Sequence, residues 1–363
     1  MEYFWKKKTI ISFILSIFVF WIHIPSFGHY LLTSGRGADS GSVTFVNCLN
    51  VFFSNTFVRL AVPLFFVLSG AAMFRDYDNK KYFSKLKTRV WSLMIPYLIW
   101  NTLGMFFEII TSYSFVSQYF AAREKFVMTV PNILKGIFFY KCNGPFWFIC
   151  TLIIFVILTP LFDLLAKNKL TSFLSLAAFI VLSNFEIPFL SPLIYGTDTL
   201  VYYMAGCILG RHFLRQFSER STKKLSICSV CVFVLCTAIW FVRGMGFFDL
   251  PLPVTTIFLT VYALSFWYAA DMFDFKNRKL KPFMGDSFFV YAMHINLSAV
   301  IAKLLYMIMP KGVIWSIPNF VLTTFLTLLI ILLFAFVLRK YLNPVYLIIS
   351  GKKKRKVVCL ISQ

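Results

Sequence analysis

Arg59-Leu-Ala-Val-Pro63-Leu-Phe-Phe-Val-Leu-Ser69-Gly70 is the second half of an apolar run covering 47–74. A helix rising 1.5 Å per residue crosses the roughly 30 Å hydrocarbon core of a bilayer in about 20 residues, so this run is long enough to span. Outward from it, comparable runs lie near 9–30, 90–112, 146–165, 170–186, 199–214, 225–243, 251–271, 284–309 and 314–338. Composition agrees, with 59% of residues hydrophobic and 14% charged. The mean hydropathy of +0.78 exceeds what a soluble core needs. The expected fold is an all-α, polytopic transmembrane helix bundle of about ten spans with no soluble domain. Its parts are a flank at 1–8, a membrane domain at 9–340 and a basic tail at 341–363.

The net charge of +22 is distributed by loop. Six segments, starting with Lys6–Lys8 and ending with the tail, hold 27 of the 36 Lys and Arg, and the alternate loops hold seven. By the positive-inside rule both termini face the cytoplasm. The basic surplus is thus a topology signal, with anionic lipid head groups as its partner. No basic stretch is interleaved with aromatic residues in a soluble unit, which argues against nucleic acid. Lys6-Lys7-Lys8 ahead of the apolar stretch from Thr9 imitates a secretory signal, but the stretch is too long and lacks a cleavage site, so it reads as the first span. Most of the eight cysteines fall in spans, where Cys behaves as a small apolar residue. Cys228-x-x-Cys231 has no nearby His, so neither a disulfide framework nor a metal site is expected.

Polar residues inside spans are the site candidates, because a charged one costs roughly 2.5–3.5 kcal/mol at mid-helix. His23 lies 14 residues past Thr9, about 21 Å along the first span, and Arg59 comes out at about 22 Å in the second. His294 in the ninth run and Asn101 in the third fall at about 15 Å, which suggests a polar layer inside the bundle. Structural roles compete: either histidine can be a packing residue, Arg59 can serve carbonyls freed by Pro63, and Asn101 can bond a neighbouring helix. Lys303, near a span end, reads as snorkelling to the interface. Glu108 and Asp286 sit near span ends, which argues against a carboxylate-oriented histidine.

With their neighbours, these residues resemble the integral-membrane acyltransferase family of the acyltransferase-three type, the bacterial O-acetyltransferases that modify surface glycans. The resemblance rests on Val62-Pro63-Leu-Phe-Phe66 followed by Ser69-Gly70, on Lys87-x-Arg89 leading to Ile95-Pro96-Tyr97-Leu-Ile-Trp100, and on Gly144-Pro145-Phe-Trp147-Phe148 closed by Leu158-Thr159-Pro160-Leu161. Gly206-x-x-x-Gly210 and Gly285-Asp286-Ser-Phe-Phe-Val-Tyr291-Ala-Met-His294 extend it across nearly the whole chain. It implies a multi-pass protein of the bacterial cytoplasmic membrane that moves an acetyl or similar short acyl group to a hydroxyl of an envelope glycan or lipid-linked sugar. It implies acetyl-CoA as donor, no metal, and His23 as catalytic. One departure stands out: the family has an arginine eleven residues before that histidine, and here the position is Ser12. Arg59, level with His23, is the candidate to replace it as the charge that stabilises an oxyanion. Lys85, Lys87, Arg89, Arg211 and Arg215 are candidates for the donor's phosphates. Asn101, Trp147, Tyr291 and His294 are candidates for acceptor binding. A non-catalytic relative acting as a scaffold, or a transporter, are the alternatives; no pair of matching interrupted halves, common in transporters, is visible.

Overall fold

The computed structural model describes residues 2–34, 39–75, 77–114, 117, 125–185, 187 and 193–352. Arg36, Arg123, the tail cations from Lys353 to Lys356 and Cys359 lie outside the described residues.

Regular structure among the described residues is helical. Helix α1 (Glu2–His23) takes in the lysine run and stops just before Pro25; α2 (Ser26–Ser34) follows. Helix α3 (Ser40–Asn50) is capped by Asp39, whose carboxylate accepts from Ser42 N at 2.7 Å. It passes through a π turn (Val51–Thr56) and a 3₁₀ turn (Phe57–Leu60) into α4 (Ala61–Phe74). Pro63 has no N–H for the Arg59 carbonyl, so the ladder is interrupted at this point and the backbone changes pitch ahead of it. The pattern recurs at Pro96, where a π turn (Val90–Met94) joins α5 (Tyr82–Arg89) to α6 (Ile95–Tyr113).

After the short α7 (Val130–Phe138), α8 (Trp147–Ile157) and α9 (Thr159–Leu165) meet at a 66° bend. Pro160 cannot donate to the Val156 carbonyl, and the Thr159 hydroxyl does so instead at 2.8 Å. Then come α10 (Lys169–Leu182), α11 (Asp198–His212), α12 (Leu214–Ser218), α13 (Lys223–Gly244), α14 (Leu252–Ala269), α15 (Ser287–Ile308), α16 (Ser316–Tyr341) and α17 (Asn343–Ile349).

Among the described residues, seven stretches are long and apolar enough to cross a membrane: Glu2–Thr33, Ser40–Phe74, Tyr82–Tyr113, Lys223–Gly244, Leu252–Met272, Pro282–Ile308 and Val313–Tyr341. The bent α8–α9 pair makes an eighth if it counts as one span. Helices α10 and α11, at 14 and 15 residues, are shorter than the ~20 that a perpendicular crossing takes.

Helix α11 is buried on nearly all sides and lies backbone to backbone on α4. A Cβ on Gly206 would stand 2.2 Å from the Val67 carbonyl oxygen, and one on Gly70 2.4 Å from that of Tyr203. One more on Gly210 would come within 2.5 Å of the Ala71 oxygen. Only hydrogen fits in this seam, which is the physical content of the Ser69-Gly70 and Gly206-x-x-x-Gly210 pieces.

The cation-rich segments gather at one end. Lys7 and Asp271 form a buried ion pair at 2.6 Å, shared by the Tyr3 hydroxyl. Buried Asp286 holds Arg339 at 3.0 Å and Lys352 at 3.3 Å. Asp163 pairs with Arg211 and accepts from Asn79 Nδ2 at 2.8 Å. At the opposite end Arg243 Nε meets Asp249 at 3.0 Å and Tyr306 meets Thr33 at 3.1 Å.

Candidate active site

Helices α1 and α15 run side by side in the same direction. Phe13 touches Phe283 with ring centroids 5.4 Å apart. Phe283 lies in the 3₁₀ turn (Pro282–Asp286) that leads into α15; ten residues on from Phe13 and eleven on from Phe283, His23 and His294 face each other, with ring centroids at 5.4 Å. His23 terminates α1 because Pro25 follows two residues later. His294 is completely buried and its Nδ1 lies 2.7 Å from the Tyr291 carbonyl. A carbonyl only accepts, so Nδ1 carries the proton and Nε2 is left as a bare acceptor. That Nε2 is buried and has no hydrogen-bond partner among the described residues.

Arg59 reaches the site from the 3₁₀ turn. Phe57 in that turn packs against Phe18 and Trp21 of α1, at 5.0 and 5.7 Å. The Arg59 charge acts on the His23 imidazole, and His23 in turn on His294. The guanidinium donates to Asn55 Oδ1 at 2.7 Å, while the Asn55 carbonyl, displaced by the π turn, accepts from Trp240 Nε1 at 2.9 Å. Arg59 lines a cavity of about 700 Å³ together with Asn55, Trp240, Arg243, Asp249 and Thr255. The carboxyl of Asp249 is held below its ordinary value by the Leu250 N–H and by Arg243.

The structure thus brings together His23, His294 and, from one side, Arg59. Tyr291 stands beside them with its ring 6.1 Å from His294, but its hydroxyl is committed to the Pro145 carbonyl. Asn101 turns elsewhere. Its amide donates to Ile137 O at 3.3 Å while Tyr97 donates to Phe138 O at 2.7 Å, so the two satisfy the last carbonyls of α7. Trp147 stacks near Tyr195 at 4.6 Å.

At the cation-rich end, most of the expected donor ligands have partners within the chain. Arg211 is paired with Asp163, Arg215 with Glu219 at 3.3 Å, and Lys85 donates to the Met73 carbonyl at 3.2 Å. Lys87 is exposed. Arg89 instead joins a group that the sequence did not single out. Its charge and that of Arg75 act on Lys8, and Lys8 and Arg75 both lie over the Trp5 ring, at 5.1 and 4.9 Å. Lys8 is one turn below Ser12 on the same face of α1. Also missed was Arg243 with Asp249; in sequence, a lone arginine near a span end reads as positioning at the interface.

A family model described as an acyltransferase domain matches residues 8–339. The chain is similar to the succinoglycan biosynthesis protein ExoH of Rhizobium meliloti (strain 1021), with 23% identity over 272 residues, covering 71% of this chain and 70% of that protein. No solved structure matches.

Proposed function

Since the chain belongs to the acyltransferase-domain family, whose model spans it almost end to end, we propose that it transfers an acetyl group from acetyl-CoA to a hydroxyl of an envelope glycan or lipid-linked sugar. The observation that carries this reading is the His23–His294 pair, set between a group of cations at one end of α1 and a polar cavity at the other. The succinoglycan-biosynthesis relative points to a saccharide acceptor. We further propose ten crossings in a bacterial cytoplasmic membrane, counting the bent α8–α9 pair, α10 and α11 as tilted or short spans, with both termini in the cytoplasm. The gathering of the lysine-rich and arginine-rich segments at one end supports that topology.

In this mechanism His23 takes the proton of the acceptor hydroxyl as its oxygen attacks the thioester carbonyl. Arg59 stabilises the oxyanion, taking the part left open by Ser12. Collapse breaks the C–S bond, and the proton on His23 passes to the departing thiolate, giving the ester and free CoA. His294 is proposed as a positioning residue: with its ring centroid 5.4 Å from that of His23, a small approach of the two rings would let its bare Nε2 accept the second N–H of the His23 imidazole. Lys8 and Arg89, with Arg75, hold the donor's phosphates. Lys8 and His23 are 15 residues apart, about 22 Å along α1, so phosphates and thioester occupy opposite ends of one helix.

Deleting the gene and analysing the acyl content of surface glycans tests the reading, which requires loss of one acyl ester. In membranes, Arg59→Ala at unchanged expression should abolish transfer from labelled acetyl-CoA; turnover at the wild-type rate contradicts the role given to Arg59. Ser12 favours one other reading, a relative that has lost catalysis. Failure of purified protein to bind CoA would support it.

A further inference from the structure

The cavity beyond Arg59 carries two guanidinium groups that no single carboxylate balances. Arg59 and Arg243 both line it, and the charge of Arg243 acts on Arg59. Among the described residues that line it, the one carboxylate is Asp249, which is bonded to Arg243 and mostly exposed. Arg243 lies 4.4 Å above the ring of Trp240, which is buried and stacked on Phe258 at 5.4 Å, so the tryptophan holds the guanidinium in place and reports on it. Asn55 and Thr255 complete the polar wall. Like charges held around one space of about 700 Å³ are stabilised by an anion between them.

Resting on the reading above, we propose that this cavity is the acceptor subsite and that it selects an acidic saccharide, whose carboxylate or phosphate lies between Arg59 and Arg243. The acceptor hydroxyl is thereby presented on the side of Arg59 that faces His23. Asp249 opposes the anion and sets how tightly it is held. A neutral sugar leaves both guanidinium groups without a counter-ion and binds more weakly.

The test uses the full chain in nanodiscs and three probes: glucose, glucuronic acid and glucose 1-phosphate. Binding is read as the change in tryptophan emission that Trp240→Phe removes. At least one acidic probe should bind about tenfold more tightly than glucose, as one added charge contact gives, and the preferred probe tells carboxylate from phosphate. Arg243→Gln should erase that preference, and Asp249→Asn, a substitution in an exposed loop, should increase it. Equal binding of all three probes by wild-type protein, or a preference that both variants leave unchanged, overturns the proposal. Labelled transfer from acetyl-CoA is scored separately. Transfer to neutral and acidic acceptors with equal KM sinks the acidic subsite alone; absence of transfer with the binding preference intact sinks the acyltransferase reading alone.

Discussion

His294 has one nitrogen committed to a backbone carbonyl and the other bare and buried, which makes the two histidines separable by experiment. His23→Gln removes the proposed base and should lower kcat to background, a loss of about 10²–10⁴ for general-base catalysis. His294→Gln retains an amide donor for the Tyr291 carbonyl and should lower kcat less, with acceptor KM nearly unchanged. The reverse ranking would make His294 the base. Both histidines and Arg59 stand out in the sequence because a charged or imidazole side chain inside an apolar run is costly without a partner, although a structural role competes at each. Asn101 was equally conspicuous, yet its amide serves the open end of α7. Sequence shows that a polar group is buried, but not which backbone carbonyl it serves. The depth of His23 counts from Thr9 as the start of the first span, whereas α1 begins at Glu2. The lysines were taken as its boundary, but Asp271, 264 residues away, neutralises Lys7 within the helix.

At the scale of elements, the seam between α4 and α11 is a contact in which backbones meet directly. Gly206→Ala places a methyl 2.2 Å from the Val67 oxygen and should cost about 1–3 kcal/mol by overpacking. Gly28→Ala, with nothing within 4 Å of its Cβ position, is the control. Thermal unfolding in detergent should show a lower Tm for the first alone; an unchanged Tm at Gly206 contradicts the seam. At the α8–α9 bend, Thr159→Val removes the hydroxyl from the Val156 carbonyl and leaves it only the Leu158 N–H, which is shared with Ile154, a loss of about 0.5–1.5 kcal/mol in the same assay. Both devices were visible as punctuation, the Gly-x-x-x-Gly spacing and the Thr-Pro pair. Which helix met the glycines was not, because a small-residue face marks close approach without naming its partner.

Across the whole molecule, class and periodicity were readable because the bilayer demands long apolar helices. The finer architecture was not: α10 and α11 are shorter than their apolar runs implied, since hydropathy does not register where a buried helix gives way to a turn. Long-range ion pairs tie the ends of the chain together. Lys7→Met should destabilise by about 3–5 kcal/mol, since it leaves Asp271 charged and buried, whereas Lys7→Met with Asp271→Leu should recover much of that loss. A double variant as unstable as the single one would contradict this account of the staple.

The central claim is that an acyl group passes from a cytoplasmic donor to an envelope acceptor through His23. Purified protein in sealed vesicles containing envelope lipid-linked sugars, given labelled acetyl-CoA on the face where the lysine-rich end is exposed, tests it most directly. The account predicts label in a saccharide product with wild-type protein and none with His23→Ala at equal incorporation. Equal labelling by the two proteins, or no labelled saccharide from wild type with any envelope acceptor, would contradict it.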